Sequence, residues 1–212
     1  MTMRKTGKFT ARAMLAAGGL LLGAAVAAQE LPDARQAQKQ LFKTNKRAVV
    51  LRVLRPDLVP DSYRAALEKA VAIQKYYEAM AASPSEGMLA KSATLAINFH
   101  STDAARAAAI AGCNAKKKEE SEACVVIAEF LPRGYEEPRA FSLSYNATEA
   151  FRKYRRAGKP KSFAISPSTG EWGEAVKAAS SAAADAAALE ACAARAARAL
   201  AGAGDCRVVS RN

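Results

Sequence analysis

Two stretches of this chain repeat one another in order and in residue type, and that internal match constrains the fold more tightly than composition does. One contains Ser83-Pro84-Ser85-Glu86-Gly87, the other Ser166-Pro167-Ser168-Thr169-Gly170. Each follows a short apolar segment (residues 77–82 and 162–165). Each leads through mixed residues to a Ser/Thr pair, an Ala-rich run with one Cys, and a second Cys ahead of valines. The landmarks are Ser101-Thr102, Cys113 and Cys124-Val125-Val126, then Ser180-Ser181, Cys192 and Cys206-Arg207-Val208-Val209. Such fixed-order self-similarity is what duplication of a structural unit leaves behind.

Local chemistry assigns each copy the same elements. Ser-Pro-Ser-x-Gly is a hairpin turn, because Pro presets φ and Gly supplies a positive one. The Ser/Thr pairs are helix N-caps. The Ala-rich runs 103–115 and 182–200 are helices, since Ala has the highest helix propensity. Residues 124–130 and 206–210 are short and β-branched and read as strands. Each copy is therefore strand, turn, strand, helix, strand.

The N-terminus determines how the cysteines are read. Arg4, Lys5, Lys8 and Arg12 precede an apolar stretch at 13–25, small residues at 26–28 and then Gln29-Glu30. This is the pattern of a cleavable secretory signal peptide, residues 1–28. The stretch falls short of the roughly 20 residues of a membrane-spanning helix, and no second long apolar run follows, so no membrane span is expected once the signal is removed. The expected location is periplasmic or secreted. There the even set Cys113, Cys124, Cys192 and Cys206 implies disulfides. The repeat selects Cys113–Cys124 and Cys192–Cys206, one per copy, provided each helix packs back on its sheet. A four-sulfur zinc site is disfavoured, because the cysteines lack the close paired spacing such sites use.

The match extends upstream. Residues 48–54 read as a strand and 61–74 as an amphipathic helix capped by Asp61. In the second copy 140–145 alternate like a strand, and 147–156 read as a helix capped by Asn146. The expected fold class is thus α+β: two tandem repeats, each a small antiparallel sheet with helices packed on it, βαββαβ where the upstream elements belong. That element order occurs in ferredoxin-like folds. The expected organisation is an arm or helix at 29–46, a first repeat at 47–131 and a second at 132–212.

The run Ser166-Pro167-Ser168-Thr169-Gly170, Trp172-Gly173, the Ala-rich helix with Cys192, and Gly204-Asp205-Cys206 with Val208-Val209 resembles a family of small secreted bacterial domains of unknown function, number 4189. The likeness is close over 162–212 and looser over 77–130, where Glu86 replaces Thr and the Trp-Gly pair is missing. The resemblance implies a disulfide-linked α+β module and supplies no reaction and no catalytic residues. Some similar exported proteins bear the label 5-aminolevulinate synthase. That chemistry needs a Schiff-base Lys and an acidic partner for pyridoxal phosphate. Nothing here marks such a constellation, and no cofactor is expected.

No catalytic motif stands out. His100 is the single histidine, so a Ser-His-Asp triad would have to use it. Its place between a strand end and a helix start reads as a surface or capping position. Ser83, Ser85, Ser166 and Ser168 do not form a nucleophile elbow and are explained by turn formation. The run Lys116-Lys117-Lys118, followed at once by Glu119-Glu120, reads as a loop. The densest charge lies at 151–161, where Arg152, Lys153, Arg155, Arg156, Lys159 and Lys161 are basic. Ala147, Ala150, Phe151 and Tyr154 follow helical spacing toward a core, which puts the cations outside, near a helix C-terminus that favours them. With a formal charge of +12, this tract is the candidate anion-binding site. The function expected is a non-enzymatic envelope protein that binds an anionic polymer or a protein partner, with no specific nucleic-acid recognition. The alternative is a periplasmic hydrolase with an unrecognised site.

Overall fold

A computed structural model describes residues 31–45, 48–137 and 139–212. The signal segment lies outside the described residues. The fold is α+β with two antiparallel sheets and two disulfides, Cys113–Cys124 and Cys192–Cys206.

The first sheet takes its strands from β1 (Val49–Val53), β2 (Glu78–Ala82), β3 (Thr94–Ala96) and β4 (Val125–Pro132). Their order is β1-β4-β2-β3, and every neighbouring pair is antiparallel. Between β1 and β2 runs α2 (Asp61–Ala70), and between β3 and β4 runs α3 (Thr102–Asn114). This is the βαββαβ order, with each helical crossover skipping one strand. The second sheet holds β5 (Ser162–Ile165), β6 (Trp172–Ala175) and β7 (Arg207–Arg211) in the order β6-β5-β7. It is served by α4 (Tyr145–Arg156) and α5 (Ser181–Ala199). A short α1 (Ala34–Gln40) precedes both sheets.

The parallels go down to single residues. Each α-helix of the pair α3 and α5 is N-capped by a serine, Ser101 or Ser180, whose hydroxyl accepts from the N–H of Ala104 or Ala183. Ala105, Ala109 and Cys113 are fully buried in α3, and Ala184, Ala188 and Cys192 at the same spacing in α5. The ladder between the first hairpin strand and the last strand of each unit slips at one place, between Met80 and Ala81 in one and between Phe163 and Ala164 in the other. Gly87 and Gly170 end the two turns at φ of 80° and 73°, a region that L side chains avoid.

The helices lie very close to the hairpin strands. A Cβ on Gly173 would sit 2.2 Å from the Ala188 carbonyl oxygen and 2.3 Å from the Cys192 nitrogen. In the first unit the space is made on the helix instead: a Cβ on Gly112 would meet Thr94 Cγ2 at 2.9 Å. Thr94 pairs with Ala81 as Gly173 pairs with Ala164. The close approach is therefore conserved in geometry while the glycine changes sides.

Several upstream expectations are corrected. Residues 140–145 form no strand. The N–H of Ser144 goes to His100 Nδ1 at 3.0 Å and that of Tyr145 to the Tyr76 carbonyl at 3.3 Å. The free edge of β7 meets α1 instead: Ala34 N–H donates to Asn212 Oδ1 at 2.9 Å, and Ala34 and Ala37 pack with Phe141, Leu143, Phe151 and Phe163. The cap of α4 is Ser144, not Asn146, because its hydroxyl accepts from Ala147 N–H while Asn146 N–H is taken by Asn98 Oδ1. Asp61 caps nothing. Pro60 holds the N-cap position of α2 without a side-chain bond, and Asp61 pairs with Arg64. That helix stops at Ala70 and buries no residue fully, touching the core through Leu67 and Val71. Within residues 29–46 a seven-residue helix forms, closed by a capping box between Asp33 and Gln36.

The close helix–strand contact generates a test. Gly173→Ala drives a methyl into helix backbone and should cost about 3 kcal/mol or more. Gly112→Ala meets only a side chain, and helix propensity returns part of the loss, about 1 kcal/mol. Urea titration of the oxidised protein should rank Gly173→Ala well below Gly112→Ala. Adding Thr94→Ala should restore Gly112→Ala and leave Gly173→Ala unchanged. Equal losses for the two glycines would refute the asymmetric contact.

Candidate functional site

The basic tract is built by α4. Ala147, Thr148, Phe151 and Tyr154 are buried on its inner side, where Phe151 and Tyr154 meet Phe163 edge to face. That spacing turns Glu149, Arg152, Lys153 and Arg156 outward. Together with Asn146, Ala150 and Trp172 they line a groove of about 570 Å³. Among the described residues the salt bridges involve Arg52, Arg55, Arg64, Arg106 and Arg211, and none belongs to α4. Arg152 is steadied by a neutral partner, its Nη1 donating to Thr44 Oγ1 at 2.6 Å.

The structure divides the six candidate cations. Arg152, Lys153 and Arg156 share the groove. Lys159 is exposed beyond the helix end, close enough to Asp33 to help hold that carboxyl low, although hydrogen bonds from Gln36 and Arg35 N–H matter more. Arg155 is half-buried and lies outside the groove. Lys161 turns inward: it is 3% exposed, and its ammonium donates to the carbonyls of Tyr154, Arg155 and Ala157 at 2.8–2.9 Å. These carbonyls lie in the last turn and C-cap of α4, where intrahelical acceptance runs out, although that of Tyr154 also takes the Ala157 N–H at 3.1 Å. Burial pulls the Lys161 pKa down, assisted by Lys159 and Arg155. Lys161 finishes the helix and is not part of an open anion site.

Trp172 is the wall residue that charge counting missed. It stands on β6, opposite Ile165. Arg195 reaches from α5, places its guanidinium 4.7 Å from the indole centroid, and donates to the Trp172 carbonyl at 3.1 Å. The one available signal was Trp172-Gly173 itself: the glycine admits α5 on one side of the strand while the indole projects to the other.

The catalytic candidates are all otherwise engaged. His100 is not at the surface but 3% exposed, wedged between the two sheets' units. Its Nδ1 accepts from Ser144 N–H at 3.0 Å, which makes Nε2 the protonated nitrogen, donating to the Glu171 carbonyl at 2.9 Å. Both ring nitrogens are thus held by backbone. Ser101 caps α3, and Asp103 pairs with Arg106. Ser166 donates to Asp205 at 2.5 Å, and the Ser168 N–H donates to the same carboxylate at 2.7 Å. In the first unit Ser83 donates to the Glu122 carbonyl at 2.8 Å. Glu86 accepts from the Ser121 and Ser92 hydroxyls and the Lys118 N–H, which hold its pKa down at about 2 and tie down the lysine loop. The cysteines are consumed as disulfides. Among the described residues no three His, Cys, Asp or Glu side chains converge as metal ligands. Nor is any described helix long and apolar enough to cross a membrane.

Two buried acids escaped the sequence reading. Glu129 is fully buried and receives Arg106 Nε at 2.5 Å, with Arg52 at 3.5 Å. Glu78, 2% exposed, accepts only the Lys75 N–H at 3.1 Å, and burial pushes its pKa up to about 7. No family model, curated protein or solved structure matches this chain.

His100 and Glu78 make opposing contributions to stability. Burial holds His100 down at about 4. Its neutral form therefore stabilises the fold fully above the unfolded value of about 6.5, and that contribution is lost as pH falls toward 4. The full window is on the order of 3 kcal/mol. Glu78 is raised from 4.5 to about 7, so its contribution is complete below 4.5 and lost as pH rises through 7. Urea midpoints between pH 5 and pH 7 should show it. His100→Asn removes the acid loss and leaves a protein that gains stability on acidification. Glu78→Gln steepens the acid loss. A His100→Asn protein with the parental pH slope would contradict the assignment.

Proposed function

We propose that this chain is an exported, non-enzymatic binding protein of the cell envelope that holds an anionic polymer on the outer side of α4. The reading combines a secretory signal at 1–28, a duplicated disulfide-bonded α+β unit, a basic composition, and a likeness to the secreted family 4189. Disulfides and the lack of a spanning helix among the described residues fit an extracellular setting. The observation that carries the ligand class is the convergence of Arg152, Lys153 and Arg156 on one groove, with no salt bridge to them among the described residues. Cations left uncancelled on a rigid helix attract phosphate or carboxylate groups and can bond them with charge-assisted donors. The hydrolase alternative cannot draw on His100 as its base, since both ring nitrogens are held by backbone groups.

Elution from a polyanion matrix against salt tests the proposal. The parent chain should elute late, with a log–log salt dependence reflecting several ion pairs with the matrix. Arg152→Ala/Lys153→Ala/Arg156→Ala should lower that slope by about 2–3, since each cation removed lowers it by close to one. Arg155→Ala/Lys159→Ala should change it far less. Retention unaltered in the triple variant would remove this groove as the site.

A further inference from the structure

The groove contains more than cations, and its other members narrow the ligand. Beside Lys153 and Arg156 stand the Trp172 indole, the Asn146 side chain and the Glu149 carboxylate. Its volume, about 570 Å³, lies within the about 300–1000 Å³ usual for small-ligand clefts. We infer that this groove is a subsite for an acidic polysaccharide, with one sugar ring laid on Trp172 and its carboxylate or sulfate groups held by Lys153 and Arg156. The inference rests on the anion-binding reading of the same groove.

Trp172 is built as a platform. It belongs to a strand rather than a loop, and Arg195 covers one face of its ring and bonds its carbonyl, which leaves the groove side of the indole, not lined by Arg195, for a sugar. A ring fixed before binding loses little entropy on binding. Indole offers a broad apolar surface with a polar handle, the complement of the C–H face of a pyranose.

Glu149 decides between polymers. A carboxylate in the groove repels the anionic groups of any polyanion, uronate included, and a bare phosphodiester or polyphosphate chain has few hydroxyl donors to offset that. The carboxylate also offers two strong acceptors to hydroxyl donors, which sugars supply in quantity. Asn146 adds an amide donor and acceptor beside it. Cations for the acidic groups, a carboxylate and an amide for hydroxyls, and one aromatic wall match a polymer that carries all three chemistries in each repeat. A single-stranded nucleic acid would use the ring and the cations and would find Glu149 unfavourable.

Trp172 is the only tryptophan in the chain, so its emission reports this groove alone. The oxidised full-length mature protein would be titrated with oligogalacturonate, a neutral maltooligosaccharide, inorganic polyphosphate and a single-stranded oligonucleotide. Emission and acrylamide quenching would be read, with retention on each anionic ligand in parallel. Oligogalacturonate should shift the emission and shield the indole, and the neutral sugar should do so far more weakly. Trp172→Phe, with its fold checked by circular dichroism, should lose about tenfold in retention on the uronate and little on polyphosphate. Glu149→Gln should weaken uronate binding and strengthen polyphosphate binding. Retention of both polymers with an unperturbed indole would overturn the stacking inference while leaving the anion-binding reading in place. An indole perturbed more strongly by polyphosphate or the oligonucleotide would overturn the glycan assignment. Loss of all retention would overturn both readings.

Discussion

The rest of the molecule depends on an alanine-faced helix laid almost in backbone contact with a short hairpin. Alanine at Ala105 and Ala109, and again at Ala184 and Ala188, lets the helix approach to where even one facing Cβ must be deleted. Such a contact buries little area per residue, and small side chains contribute correspondingly little hydrophobic free energy. The disulfide compensates. Cys113 and Cys192 lie in register with the buried alanines and tie α3 at its end, and α5 seven residues before its end, to the start of the last strand. They close loops with sequence separations of 11 and 14 residues, constraints worth about 3 kcal/mol each in the chain-entropy account. An Ala-rich core and a local disulfide are thus two parts of one solution, and an oxidising compartment is a condition of it.

Joining the two units is a separate problem, solved with polar groups. The turn ending at Gly170 approaches the backbone at Asn98 so closely that a Cβ would lie 2.2 Å from its carbonyl oxygen. His100 fills the gap: it satisfies the Ser144 N–H and gives a second donor to the Glu171 carbonyl, which also accepts from the Ser166 N–H at 2.9 Å. Ser144 adds a bond to the Gly170 carbonyl while capping α4. At the other side, α1 crosses to the second unit and packs where a first strand would otherwise stand. Tyr145 O–H donates to the Thr44 carbonyl at 2.5 Å and ties the segment after α1 to the same helix.

The legible part of this fold was the part set by local rules. Caps at Ser101 and Ser180, turns ending in glycine, Ala-rich helices and the cysteine pairing all follow from residue type at short range, and the similarity of the two stretches made each reading a check on the other. The illegible part was decided by tertiary competition. Residues 140–145 alternate as a strand should, and Phe141 and Leu143 are indeed buried. The alternation marks which side chains face inward, and says nothing about which backbone partner is free. Asn146 is as good a cap as Ser144 by type, but Asn98 claims its N–H. His100 looked peripheral because the units were read separately, whereas its burial is a property of their junction. The basic tract was legible as a cluster, but not the inward turn of Lys161, which follows from the carbonyls gathered where α4 ends.

What packing requires is shared between the units, and the groove is not. At the position of Gly173 the first unit has Thr94, and the residue before it is Ala93, where the second has Trp172. In the first unit α2 carries Asp61, Arg64, Glu68 and Lys69, acids interleaved with bases, and Arg64 is engaged by Asp61 at 3.6 Å. Its counterpart α4 carries Arg152, Lys153 and Arg156 with Glu149 as the single acid on that side. Neither difference is demanded by the core: Trp172 only abuts it, and the α4 cations face away from it. Groups outside the buried core, gathered on one unit around a clamped aromatic ring, are the difference on which the proposed binding role rests.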